Sequence, residues 1–178
     1  MSPRVLMPYP GFPTGIGYYL SGMEEVREQL CKAVKEVPDE KIGRRAFPGA
    51  HSIGALVLHI GESEWWWMQH ILSGRELTEQ VRHAPYWDVL KDPDGFGRKG
   101  FTTEFCLQEI EKMRNQTREV LSSRSDDDLE RITPFERRGE KYEYSLRWML
   151  HHLIDHEAQH KGQILMLKRL MMSDGQWP

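Results

Sequence analysis

The chain has only two cysteines, Cys31 and Cys106, far apart and outside any Cys-x-x-Cys pairing. Their scarcity excludes a disulfide framework and a thiolate metal site, fits a reducing compartment, and leaves both as small buried hydrophobes. No apolar run approaches the roughly 20 residues of a membrane span. The first ten residues, with Pro3, Pro8 and Pro10, lack the apolar core of a secretory signal. The expected location is therefore the cytoplasm, with no membrane partner. Charge of one sign is missing too: a formal net charge of -3 supplies no basic field for nucleic acid. There is no internal repeat and no low-complexity tract. At 178 residues the chain is read as one domain, 1–178, with room for a sizeable core.

What is present is helical periodicity. Four prolines in residues 1–14 exclude a helix and predict an extended arm. From Thr14 or Gly15, the residues Ile16, Leu20, Met23, Val26, Leu30 and Val34 recur at spacings of three and four, which predicts a first helix ending at Val37-Pro38-Asp39. Glu24, Glu25, Arg27, Glu28 and Lys32 are assigned to its other faces. A second helix is expected over Ser52 to Leu72, stopped by Ser73-Gly74. A third is expected over Thr102 to Ser122 and a fourth over Ser145 to Met172, with Leu165, Met166 and Leu170 available for packing. Between the second and third, residues 75–100 form the longest connection, broken by Pro85, Pro93 and Gly95, with Tyr86 and Trp87 expected to dock it. Ser125-Asp126-Asp127-Asp128 reads as an exposed turn with capping chemistry. Residues 131–144 can hold a short hairpin around Gly139, and Arg137, Arg138 and Lys141 there read as an ordinary solvated basic group. The class is all-α, a bundle of four helices.

The fourth segment carries the chemistry. Four of the eight histidines fall in His151-His152-Leu153-Ile154-Asp155-His156-Glu157-Ala158-Gln159-His160, and Gln163 follows. Positions four apart share a helix face, so His152, His156 and His160 line up. A catalytic dication site needs three protein ligands and an open position, and neutral imidazole is the commonest ligand. His156 and His160 offer two nitrogens, and a third must come from another helix. His59 is the best donor, because it sits mid-helix beside an apolar stripe. His51, His70 and His83 lie at helix ends or in the long connection. His151 points about 100 degrees away from His152. His152 and Gln163 are placed around the site rather than on the ion, and Trp66, from the run Trp65-Trp66-Trp67, at the pocket. The competing reading, a set of satisfied core histidines, requires each buried imidazole to find its own hydrogen-bond partner.

His156-Glu157-Ala158-Gln159-His160 also matches the His-Glu-x-x-His pattern of zinc proteases, with Glu157 as base. Gln163 and Met166 stand where the extended motif needs Gly and His, and only 18 residues follow His160. A protease is set aside and Glu157 is expected to point outward.

The helix-two run Ser52-Ile53-Gly54-Ala55-Leu56-Val57-Leu58-His59 and the fourth-helix run His152-x-x-x-His156-x-x-x-His160-Lys161-Gly162-Gln163 resemble the DinB-like superfamily, which includes the bacillithiol and mycothiol S-transferases. Lys161 departs from the family's usual Arg. The resemblance implies an up-down-down-up bundle with a long crossover between helices two and three, and frequent homodimers. It further implies a divalent metal, nickel or zinc before iron or manganese, on His59, His156 and His160. Characterised members so related transfer a low-molecular-weight thiol to small-molecule electrophiles or isomerise thiol adducts. A metal-dependent hydrolase and a non-catalytic, stress-response metal bundle stay open beside that reading.

Overall fold

The computed structural model describes residues 5–172, apart from the side chains of Pro93 and Asp94. The described residues are mostly helical, with 64% helix, 7% strand and seven α-helices among them. Four are long or extended: α1 (Thr14–Lys35), α3 (Ile53–Trp65), α6 (Thr103–Ser122) and α7 (Leu146–Met172). Short helices α2 (Asp39–Ile42), α4 (Glu79–Arg82) and α5 (Pro93–Arg98) lie in the connections. α1 packs on α7 and α6, and α3 packs on α6 and α7.

The ends of these helices follow from local chemistry. Ser52 caps α3 by accepting from Ala55 N, and Thr102 caps α6 by accepting from Phe105 N. α1 lacks a cap of its own, since Pro13 precedes it. Instead the Asp126 carboxylate accepts from Gly15 N and Ile16 N, each at 2.9 Å, and so satisfies the first free amides of α1 from 110 residues away. Asp126 belongs to a 3-10 turn, Asp126–Glu130, closed by reciprocal capping between Ser125 and Asp128.

α3 continues directly into a π-helical segment, Trp66–Leu72. Widening the turn rotates the side chains that follow, so three successive tryptophans divide: Trp65 and Trp67 are buried and Trp66 is half-buried. The expected hairpin is present as strands β1 (Ile132–Arg137) and β2 (Glu140–Ser145), paired antiparallel with Phe135 opposite Tyr142. Arg138 and Gly139 both take positive φ, +55 and +80, which is the backbone of a tight two-residue turn. The long connection docks through Tyr86, Val89 and Phe96, all buried. Phe96 lies against Gly54, where a Cβ would meet its ring at 2.5 Å, so α3 must carry glycine there.

The apolar core divides into two clusters. One gathers Leu30, Val34, Ile60, Ile110, Met113 and Ile164; the other gathers Leu20, Met23, Met68, Leu121, Met149 and Leu153. Between them each long helix places one charge: Arg27 from α1, Glu64 from α3, Arg114 from α6 and Glu157 from α7. All four are at most 3% exposed. Arg27 donates to Glu157 at 2.6 Å and to Glu64 at 2.8 Å; Arg114 donates to Glu64 at 2.7 Å and to Glu157 at 3.0 Å. Two guanidinium groups and two carboxylates thus close a neutral square in the interior, the arrangement that makes buried charge tolerable. Burial alone would raise the Glu64 carboxyl, but Arg114 and Arg27 outweigh it and hold it down to about 2.

Two expectations are overturned here. Glu157 does not point outward, and Arg27 does not lie on a solvent face. Both were assigned by their charge, and both are stabilised inside by partners on other helices. Leu165, Met166 and Leu170 differ as well, standing exposed on α7.

Candidate metal centre

His59 projects from the middle of α3 toward α7, and the structure brings it alongside His156 and His160, one helical turn apart. One nitrogen from each of the three lies within 4.8 Å of the other two. The ring centroids of His59 are 5.2 Å from His156 and 5.1 Å from His160. All three side chains are half-buried at the edge of the helix packing.

The outer nitrogens fix the tautomers. His59 Nδ1 is 3.0 Å from Glu62 Oε2, and a carboxylate only accepts, so Nδ1 carries the proton and Nε2 offers its lone pair. His160 Nδ1 likewise donates to Gln163 Oε1 at 2.8 Å. His160 Nε2 then faces His156 Nε2 at 3.2 Å. Two nitrogens each about 2.05 Å from one tetrahedral ion stand roughly 3.3 Å apart, so this spacing matches an edge of such a site. The donor set therefore fits a divalent cation: three imidazoles, two of them oriented by a second hydrogen bond.

Electrostatics disfavour the charged forms of His156 and His160. Burial, then the neighbouring His160, His59 and His152, push His156 down to about 3, so its imidazole is neutral at ordinary pH. Burial also lowers His160; the bond from Gln163 acts against it, and His59 and His51 act with it.

A cavity of about 520 Å³ opens beside the histidines, with His59 and His156 in its wall. Trp66, Trp67 and Trp87 form its aromatic side, and His152 also lines it. His152 does not join the three-nitrogen group. Its ring stacks on Trp148 at 4.9 Å and 6°, and its centroid is 5.7 Å from that of His156. Burial lowers its pKa, against Asp155 and with His151. Gln163 is exposed and reaches the site through His160. His151 is exposed, and His70 and His83 bond the backbone oxygens of Arg75 and Glu79 instead.

Sequence reasoning overlooked Glu62. Its Oε2 holds His59 while its Oε1 accepts from Asp88 N at 2.8 Å, tying α3 to the long connection. Its place one turn after His59 was a usable signal. Arg137 was read as an ordinary loop charge; it lies at the cavity, 5.2 Å from the Trp66 ring centre.

Both oxygens of Glu157 are engaged by Arg27 and Arg114, so it is not free to act as the base of a zinc protease. No helix among the described residues is long and apolar enough to cross a membrane. No curated protein matches the chain. A family model described as mycothiol S-transferase does match, over residues 20–172, from within α1 through the hairpin to the last turn of α7. That span takes in the three histidines and the four interior charges, and by it the chain belongs to the mycothiol S-transferase family, a DinB-like family.

Proposed function

We propose that this single-domain protein is a divalent-metal-dependent thiol S-transferase whose metal is held by His59, His156 and His160. The observation that carries the reading is the convergence of three imidazole nitrogens within 4.8 Å beside an open cavity. A dication there, nickel or zinc, would supply Lewis acidity, making a thiol or water acidic near neutral pH. The protein's own part is orientation and exclusion. Glu62 and Gln163 set the tautomers of His59 and His160. Trp66 and Trp67 shield one side of the cavity from water, and His152, held against Trp148, lines it too.

The family match supports the thiol chemistry, and the helix contacts support an up-down-down-up four-helix bundle whose long crossover runs between α3 and α6. We read the working form as a homodimer and the thiol as a low-molecular-weight cosubstrate. A closed structural site takes four protein ligands. His152 stands outside the three-nitrogen group, which favours a site with an open position over a non-catalytic one.

The test is elemental analysis of purified protein, followed by thiol consumption with mycothiol, bacillithiol and glutathione against several electrophiles. The expected result is about one divalent metal per chain, lost in His156→Ala, with one thiol preferred. Equal metal content in wild type and His156→Ala would defeat the site. Metal-dependent ester hydrolysis without thiol consumption would move the reaction to hydrolysis.

A further inference from the structure

The cavity beside the histidines has the volume of a site for a small organic molecule, and its wall combines rigid rings with one uncommitted charge. Trp67 is pinned by edge-on contacts to Phe135, Tyr144 and His152, and Trp87 stands edge-on to Trp65 at 5.9 Å. Trp66, between Trp67 and Phe135, is only half-buried. Such surfaces attract a flat, apolar ligand face.

Four formal charges line the same cavity. Glu62 is committed to His59 and the Asp88 amide. Lys91 Nζ lies 2.8 Å from Asp88. Arg137 differs: it lies over Trp66 and has no ion-pair partner among the described residues. The two acids and two bases cancel, so a dication on three neutral imidazoles would leave the cavity doubly positive. One thiolate offsets half of that.

We propose that the acceptor taken by this cavity is a planar, aromatic-sized molecule bearing an anionic group, its ring against Trp66 and Trp87 and its anion on the Arg137 guanidinium. Naming it the acceptor rests on the thiol-transfer reading; the recognition itself rests on the cavity alone. Arg137 is suited to the role because a guanidinium can stack on an indole while its N–H groups bond a carboxylate or sulfonate.

The experiment is calorimetric titration of the metal-loaded protein with naphthalene-2-carboxylate and with the neutral 2-naphthalenemethanol. A charge-assisted hydrogen bond predicts about ten-fold tighter binding of the carboxylate. Arg137→Gln, on an exposed hairpin position, is expected to erase most of that preference and leave the alcohol unchanged. Trp66→Ala is expected to weaken both probes. Repeating the titration on chelator-stripped protein separates the two cations. A preference that survives stripping and depends on Arg137 supports the proposal even if the metal reading fails. A preference that vanishes with the metal and ignores Arg137→Gln puts the anion on the ion and overturns it. Equal affinity for the two probes, or binding of neither, overturns it too.

Discussion

Arg27 Nε lies 2.6 Å from Glu157 Oε1, joining α1 to α7 one residue away from a proposed metal ligand, with both side chains sealed from solvent. Glu157 also meets Arg114, and through the two arginines it is linked to Glu64. Removing one member leaves an uncompensated charge in the interior, which typically costs about 3–5 kcal/mol. Glu157→Ala should therefore lower the free energy of unfolding by about that much, measured by urea titration. The paired change Arg27→Met with Glu157→Leu should cost clearly less than the sum of the single changes. Additive losses would show that the square is not an energetic unit.

The same square predicts the acid limb of stability. The folded-state pKa of Glu64 is held at about 2 against an ordinary 4.5, so its ionised form is favoured by folding. A depressed carboxylate pKa contributes stability in full above the unfolded value, and that stability is lost as pH falls from about 4.5 toward 2. The amount is on the order of 3 kcal/mol. Unfolding midpoints measured between pH 7 and pH 2.5 should fall through that window. Glu64→Gln should be less stable at pH 7 and show a flatter pH dependence. An equally steep loss in the variant would assign the acid sensitivity to other groups.

These interior charges mark where the sequence stops being readable. The long helices were legible because their apolar residues repeat locally: the helix read from Thr14 is α1, and the stretch read from Ser52 to Leu72 is α3 with its π segment. The hairpin was legible from Gly139. A charge, however, reads as solvent-facing unless its partner is known, and the partners here lie 37 to 130 residues away. The site divides in the same way. His156 and His160 are neighbours by helical spacing alone, whereas bringing His59 beside them depends on how α3 packs against α7. The cavity was the least legible part. Trp66, placed at the pocket from the tryptophan run, does line it, but Trp87 and Arg137 reach it from the long connection and a hairpin whose docking no local pattern encodes.

Glu62 joins the proposed ligand His59 to the long connection. It accepts from His59 Nδ1 on one oxygen and from Asp88 N on the other, and Asp88 holds an unfavourable positive φ of +52. Hydrogen-bond partners of metal-bound histidines typically contribute 10–100-fold in affinity. Glu62→Ala should weaken metal binding by about that factor in a chelator competition. It should also speed hydrogen exchange at the Asp88 amide, because the bond that offsets its backbone strain is gone. Weaker metal with unchanged exchange at Asp88 would confine the role of Glu62 to His59.

His152 decides between an open centre and a closed one. It shares a face with His156 and His160, yet its ring is parallel to Trp148 at 6° and is drawn into a stack that runs through Tyr144 to Tyr142. Stacked there, the imidazole is held by π contact, and burial disfavours its charged form. His152→Ala should therefore keep the wild-type metal content while His59→Ala, His156→Ala and His160→Ala each lose it, all measured on the same preparations. On the proposed reading His152 lines the cavity without holding the ion, so in His152→Ala kcat/KM should fall through a higher KM while kcat is kept. A His152→Ala protein that loses its metal as fully as His156→Ala would make His152 a fourth ligand. The position needed for a thiol would then be filled by the protein itself.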